Sequence, residues 1–122
     1  VILVDTAVWI DHLHAAEPGL VEHLQLDGVG CHPLVVEELA LGSITRRETV
    51  LDLLANLWQF PVARHDEILY LVDRRRLWGR GLSPADAHLM ASVSVVEGAL
   101  LWTRDKRLKA ASSEVGIPLF DE

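Results

Sequence analysis

Asp5, Glu38, Asp86 and Asp105 are the side chains whose type and placement can do chemistry together. Asp5 ends the apolar run Ile2-Leu3-Val4, and Asp105 falls two residues after a second run, Ala99 to Thr103. If both runs are parallel strands, both acids stand at the carboxyl edge of one sheet, where open parallel sheets bind ligands. Glu38 has Leu34, Val35, Leu41 and Gly42 at helical spacings, which places it on or beside an apolar stripe. A charge there is costly without a partner. Each acid also has an ordinary structural role open to it. Asp5 and Asp105 can cap helices, Asp86 can complete a capping box with Ser83, and Glu38 can pair with an arginine. Glu37 is the more natural solvent-facing member of its pair.

Taken together the four acids make a stronger case. Neighbouring carboxylates about 5 Å apart repel by roughly 3 kcal/mol per pair at an effective dielectric near 20. Several such pairs would consume much of the ~5–15 kcal/mol that holds a domain folded. An oxygen-rich anionic pocket therefore calls for a hard cation, with Mg²⁺ or Mn²⁺ the natural choice. Such an ion polarises a phosphoryl oxygen and acidifies a bound water, the chemistry of phosphodiester hydrolysis.

The elements that must position these acids can be read from punctuation. Ile2–Val4 reads as a buried strand, followed by a helix carrying Trp9, Ile10 and Leu13. Pro18 opens a second helix that stops near Gly28, and Val29–Cys31 is a short strand. Pro33 begins a helix through Leu41, and Thr45 with Glu48 has the spacing of a capping box for the next. Trp58 to Ala63 is extended, and Asp66 is placed to cap a helix reaching the Gly79–Gly81 region. Ser83, Pro84 and Asp86 mark the best-punctuated helix start, with Gly98 closing its end. Ala99–Thr103 is a strand, Arg104 to Ser112 a helix, and Ile117–Phe120 a last strand. Short apolar strands alternating with amphipathic helices predict one α/β domain over residues 1–122, a mainly parallel sheet flanked by helices on both faces.

With 122 residues, half of them hydrophobic, the chain can build one core, and disordered or collagen-like classes are excluded. No apolar run nears the ~20 residues of a membrane span, the opening lacks signal-peptide character, and Cys31 is the sole cysteine. A cytoplasmic protein is expected. Position 1 is Val rather than Met, which points to a trimmed or unusual start. The net charge of −7 argues against a simple nucleic-acid coat. Yet nine of eleven basic residues are Arg, clustered at Arg46–Arg47, at Arg74–Arg76 with Arg80, and from Arg104 to Lys109. That pattern suits solvated helix faces, and equally an enzyme with metal at its centre and arginines at its rim.

The sequence resembles the PIN-domain nucleases, in particular the VapC toxins of bacterial toxin–antitoxin pairs. Ile2-Leu3-Val4-Asp5-Thr6-Ala7-Val8-Trp9-Ile10-Asp11 is similar to the family's opening signature, with Asp5 as its first acid. Val35-Val36-Glu37-Glu38-Leu39-Ala40-Leu41-Gly42 resembles its Glu-Leu-x-x-Gly motif, which selects Glu38 over Glu37. Leu82-Ser83-Pro84-Ala85-Asp86-Ala87-His88-Leu89-Met90-Ala91 and Trp102-Thr103-Arg104-Asp105-Lys106-Arg107-Leu108 resemble the third and fourth motifs. Ala7 stands where Ser or Asn is frequent, which would leave a small polar contact beside Asp5 missing, and Leu108 where Phe is frequent.

The resemblance implies an endoribonuclease toxin using Mg²⁺ or Mn²⁺, cutting transfer or ribosomal RNA, forming a homodimer and neutralised by a cognate VapB-like antitoxin. Asp5, Asp86 and Asp105 would hold the metal, and Glu38 would bind metal-bound water or help deprotonate the attacking water. Thr103 is expected to contact a carboxylate or the phosphate, and Arg104, Lys106 and Arg107 to position the RNA backbone.

Other functions fit less well. A catalytically silent PIN-fold RNA-binding module is opposed by retention of all four acids. A Mg²⁺-dependent receiver-type signalling domain needs adjacent acids after its first strand, and Thr6 follows Asp5. A haloacid-dehalogenase-like phosphatase needs an acid at position 7, where Ala stands, and a dinucleotide-binding loop at Gly28 and Gly30 meets Pro33. The six histidines form no convincing zinc spacing, and Cys31 reads as a buried strand residue. Core packing is the default expectation for Trp9, Trp58, Trp78 and Trp102, with partial exposure at an interface the alternative.

Overall fold

Ile2, Leu3 and Val4 are all buried, although successive strand side chains point to opposite faces of a sheet. A strand closed off on both sides belongs at the centre of a layered fold, and that is where it lies. The computed structural model describes residues Val1–Glu122. In chain order the elements are β1 (Ile2–Val4), α1 (Thr6–His14), α2 (Pro18–Gln25), β2 (Val29–Cys31), α3 (Pro33–Leu41), α4 (Arg47–Asn56), β3 (Trp58–Gln59), α5 (His65–Arg75), α6 (Pro84–Ser94), β4 (Leu100–Trp102) and α7 (Lys106–Glu114).

The four strands form one parallel sheet in the order β3-β2-β1-β4. Ile2 and Leu3 pair with Val29 and Gly30 on one side, and Ile2, Leu3 and Val4 with Leu100, Leu101 and Trp102 on the other. The chain moves outward from β1 through β2 to β3, then crosses back to lay β4 on the opposite side of β1. The direction of winding therefore reverses between β1 and β4, and a crevice opens at such a switch point beyond the strand ends. Trp9, Leu39, Met90, Leu101 and Trp102 are among the residues of the single core. Gly30 is required where it stands, because a Cβ there would lie 2.5 Å from the ring of buried Phe60.

Local punctuation places most helix ends as expected. Pro33 begins α3 behind His32, whose Nδ1 accepts the Leu34 N–H at 3.0 Å. Ser83 and Asp86 cap each other's backbone at the start of α6. Four expectations need correction. Thr45 and Glu48 form no capping box, since α4 starts after Arg46 in a left-handed conformation at φ 53°. Asp66 sits in the first turn of α5 rather than capping it; Arg64 holds the cap position and its N–H donates to Glu67 at 2.8 Å. Helix α6 stops at Ser94, leaving Gly98 in the turn into β4 at φ 75°. The last strand shrinks to one parallel bridge, Leu101 with Leu119, because Pro118 has no N–H to extend a ladder. No helix is long and apolar enough to cross a membrane.

Candidate active site

The sheet ladder runs one residue past β1 and delivers Asp5 to the crevice, its N–H donating to the Trp102 carbonyl at 2.8 Å. Asp5 caps α1: its Oδ1 accepts the Thr6 N–H at 2.8 Å and its Oδ2 accepts the Thr103 hydroxyl at 2.7 Å. Thr103 also accepts the Asp105 N–H at 3.1 Å, so one buried hydroxyl ties the ends of β1 and β4 together. Asp105 caps α7, its Oδ1 accepting the N–H groups of Arg107 and Leu108 at 2.8 and 3.1 Å. Asp86 accepts the Ser83 N–H at 2.9 Å through Oδ2. Glu38, reaching in from α3, accepts the Thr6 hydroxyl at 2.9 Å through Oε1.

Electrostatics connects three of these groups. Burial pushes the Asp5 carboxyl above its ordinary value, the Thr103 and Thr6 hydrogen bonds pull it back, and the charges of Asp86 and Asp105 push it further up. Asp5, Asp86 and Asp105 thus share one field, and Glu38 joins them through Thr6. They do not close into a tight cage. No three His, Cys, Asp or Glu side chains stand close enough together to form a metal-binding group. The expected mutual repulsion is also answered locally: Asp5, Asp86 and Asp105 each sit at a helix N-terminus, whose partial positive charge favours an anion.

The donor set still fits a hard cation. Capping occupies one oxygen of Asp86 and one of Asp105, and Thr6 occupies one of Glu38, leaving the second oxygen of each without a protein donor. Mg²⁺ dehydrates reluctantly and usually keeps several waters, so spaced carboxylates match a hydrated ion better than a closed all-protein cage would.

Several side-chain expectations change. Glu38 is exposed rather than desolvated on an apolar stripe, and its partner is a threonine, not an arginine. Arg104 does not face the crevice as a free cation. It is gripped by Asp11 at 2.6 Å, Glu17 at 3.0 Å and Glu122 at 2.6 Å. Thr103 is 2 % exposed, which makes it a carboxylate holder. Arg107 is exposed and lies over Gly81 in the loop before α6. Sequence reasoning passed over Thr6, the link between Asp5 and Glu38; its hydroxyl at a helix start was the available signal. The polar contact feared lost at Ala7 is supplied by Thr6 and Thr103. Trp9 and Trp102 are core residues, whereas Trp58 and Trp78 are 51 and 61 % exposed. Burial pushes the Cys31 thiol up to about 11, which leaves it inert. The largest groove, about 690 Å³, is lined by Pro61, Tyr70 and Val95 among others and includes none of the four acids. Volume is therefore a poor guide to the chemistry here.

Comparison with known proteins agrees with this architecture. The PIN domain family profile matches residues 2–114. The chain is 68 % identical over 121 residues to Ribonuclease VapC32 of Mycobacterium tuberculosis, in both strain CDC 1551 / Oshkosh and strain ATCC 25618 / H37Rv, covering 99 % of this chain and 98 % of each relative. Among solved structures, PAE2754 from Pyrobaculum aerophilum shares the fold at a TM-score of 0.56 and 21 % identity, over 90 % of this chain and 78 % of that one. A profile spanning almost the whole chain, on a parallel sheet with acids at its switch point, places the protein plainly: it belongs to the PIN-domain family, among its VapC members.

Proposed function

We propose that this protein is a divalent-metal-dependent endoribonuclease toxin that hydrolyses phosphodiester bonds in transfer or ribosomal RNA and is silenced by a cognate VapB-like antitoxin. The observation that carries the reading is the Asp5–Thr103–Asp105 linkage, which sets two carboxylates at the ends of the two strands flanking the switch point. The ribonuclease name of the 68 % identical relatives supports the same chemistry.

Asp5, Asp86 and Asp105 would hold Mg²⁺ or Mn²⁺, which supplies polarisation of the scissile phosphate and a more acidic attacking water. Thr6 and Thr103 keep the Asp5 carboxylate in one orientation, so its charge is presented without reorganisation. Glu38, with one oxygen fixed by Thr6 and the other free, accepts a proton from the attacking water. Capping at Ser83 and at the start of α7 holds the outer carboxylates on rigid helix ends rather than on loops. A homodimer is part of the proposal, as is an antitoxin segment that covers the acidic crevice.

Incubation of the protein with transfer and ribosomal RNA, with Mg²⁺ or Mn²⁺ and with an EDTA control, tests this directly. Metal-dependent internal cleavage, absent in Asp5→Asn, is expected. RNA left intact under every metal condition overturns the reading.

A further inference from the structure

Trp78 leaves its indole 61 % exposed in the turn between α5 and α6, while its neighbour Leu77 is buried and anchors that turn. Arg76, at φ 54°, closes α5 just before it. From Trp78 a groove of about 390 Å³ runs past Leu82 to Ser83 and His88. Ser83 is the residue whose N–H holds Asp86, so the groove ends on the turn that carries one of the site's acids. Its size is within the range of small-ligand sites.

Two cations of the turn that carries Trp78 stand outside any ion pair. Arg76, two residues before Trp78, is exposed and pairs with no carboxylate, in a chain whose net charge is −7. Arg107 reaches across from α7 to the same loop, with its backbone N–H on Asp105 and its guanidinium over Gly81. Gly81 holds a φ of +75°, a backbone conformation that favours glycine, and the end of the Arg107 side chain packs against it. Arg107 therefore bridges the carboxylate centre and the Trp78 turn. A flat, exposed aromatic in a turn that begins at one unpaired arginine and is met by another complements a ligand that is both aromatic and anionic. An uncharged peptide segment would leave those cations unanswered.

We propose that the groove between α5 and the start of α6 is a nucleobase subsite, in which Trp78 stacks on an unpaired base of the RNA while Arg107 and Arg76 take the phosphates beside it. The proposal rests on the ribonuclease reading and adds to it the form of RNA bound. Stacking needs a base whose face is open, so the strand must be single or looped at this point. Cleavage then falls a short distance along the strand from the stacked base.

Fluorescence anisotropy with a labelled single-stranded oligoribonucleotide and a matched duplex, both in EDTA so that nothing is cut, provides the test. Trp78→Ala should weaken single-strand binding by about five- to a hundredfold, with Trp78→Phe recovering most of it. Duplex binding should change little, and Arg76→Gln should flatten the salt dependence for the single strand. In Mg²⁺, Trp78→Ala should raise KM more than it lowers kcat. The exposure of Trp78 means the variant should melt as wild type does, which the same samples check. Equal single-strand affinity for Trp78→Ala and wild type overturns the subsite while leaving cleavage by wild type, and hence the ribonuclease reading, standing. Normal RNA binding by Trp78→Ala with loss of a protein partner assigns the groove to protein docking and also overturns it. Wild type that neither binds nor cuts any RNA sinks both proposals together.

Discussion

The Thr103 hydroxyl donates to Asp5 Oδ2 at 2.7 Å, joining two residues 98 positions apart in sequence. It is the most economical explanation of why a half-buried carboxylate is tolerated at the head of the sheet. Thr103→Val keeps the volume and removes the donor. We expect about 1–3 kcal/mol of lost stability and a ten- to hundredfold fall (roughly) in metal affinity or cleavage, with Thr103→Ser close to wild type. Isothermal titration with Mn²⁺ alongside a cleavage assay reads both effects. A valine variant indistinguishable from wild type would show the bond to be incidental.

Asp5 lies above its ordinary pKa, so its charged form is disfavoured in the folded protein. Its contribution to stability is full below the unfolded pKa and is lost as pH rises through the folded one. Asp5→Asn should therefore abolish cleavage while leaving the metal-free protein at least as stable at pH 7. Asp86→Asn should also abolish cleavage, its amide oxygen still able to accept from Ser83. In wild type, Mg²⁺ at tenfold its Kd should add about 1.4 kcal/mol of stability, and the double variant should gain little. Thermal melts with and without the ion check this, and equal metal shifts in both proteins would argue against a carboxylate site.

His32 caps α3 from a fully buried position, its ring centroid 5.9 Å from that of His88. Burial, with a smaller push from His88, lowers its pKa from 6.5 to about 4. A histidine depressed in the folded state stabilises above its unfolded pKa and gives that stability up as pH falls. Between pH 7 and 4.5 wild type should lose roughly 2–3 kcal/mol from this source, whereas His32→Asn, an uncharged residue able to cap, should not. Asp5, with its pKa raised, works in the opposite direction and is common to both proteins. Denaturant titrations at the two pH values supply the comparison, and identical losses would clear His32.

Arg104 stands between Thr103 and Asp105 and is held by Asp11, Glu17 and Glu122. Its side chain is about a quarter exposed, so solvent and salt screen the cluster. Arg104→Gln should cost about 1–2 kcal/mol, less at high salt, and should loosen the C-terminal residues tied to it. A double-mutant cycle with Glu122→Gln measures their coupling. Additive effects would mean that the two groups act independently.

Much of the molecule is written in short stretches of sequence. The apolar runs at Ile2–Val4 and Leu100–Trp102, the Pro33 helix start and the Ser83–Pro84–Asp86 cap all depend on residues within a turn of one another. Backbone sterics and capping act at that range, so pattern alone reveals them. The four acids were visible for the same reason, each marking the edge or face of a local element. What no local pattern states is which elements meet. The Thr6–Glu38 contact spans 32 residues, the Arg104–Asp11 pair spans 93, and Arg107 meets Gly81 only because α7 packs beside that loop. The first is set by α1 packing on α3 and the other two by the return of β4 to the far side of β1, and both depend on burying the shared core rather than on any one segment's preference. The same packing turned Arg104 inward to carboxylates and left Trp78 in the open, two assignments that helical and strand periodicity had no means to make.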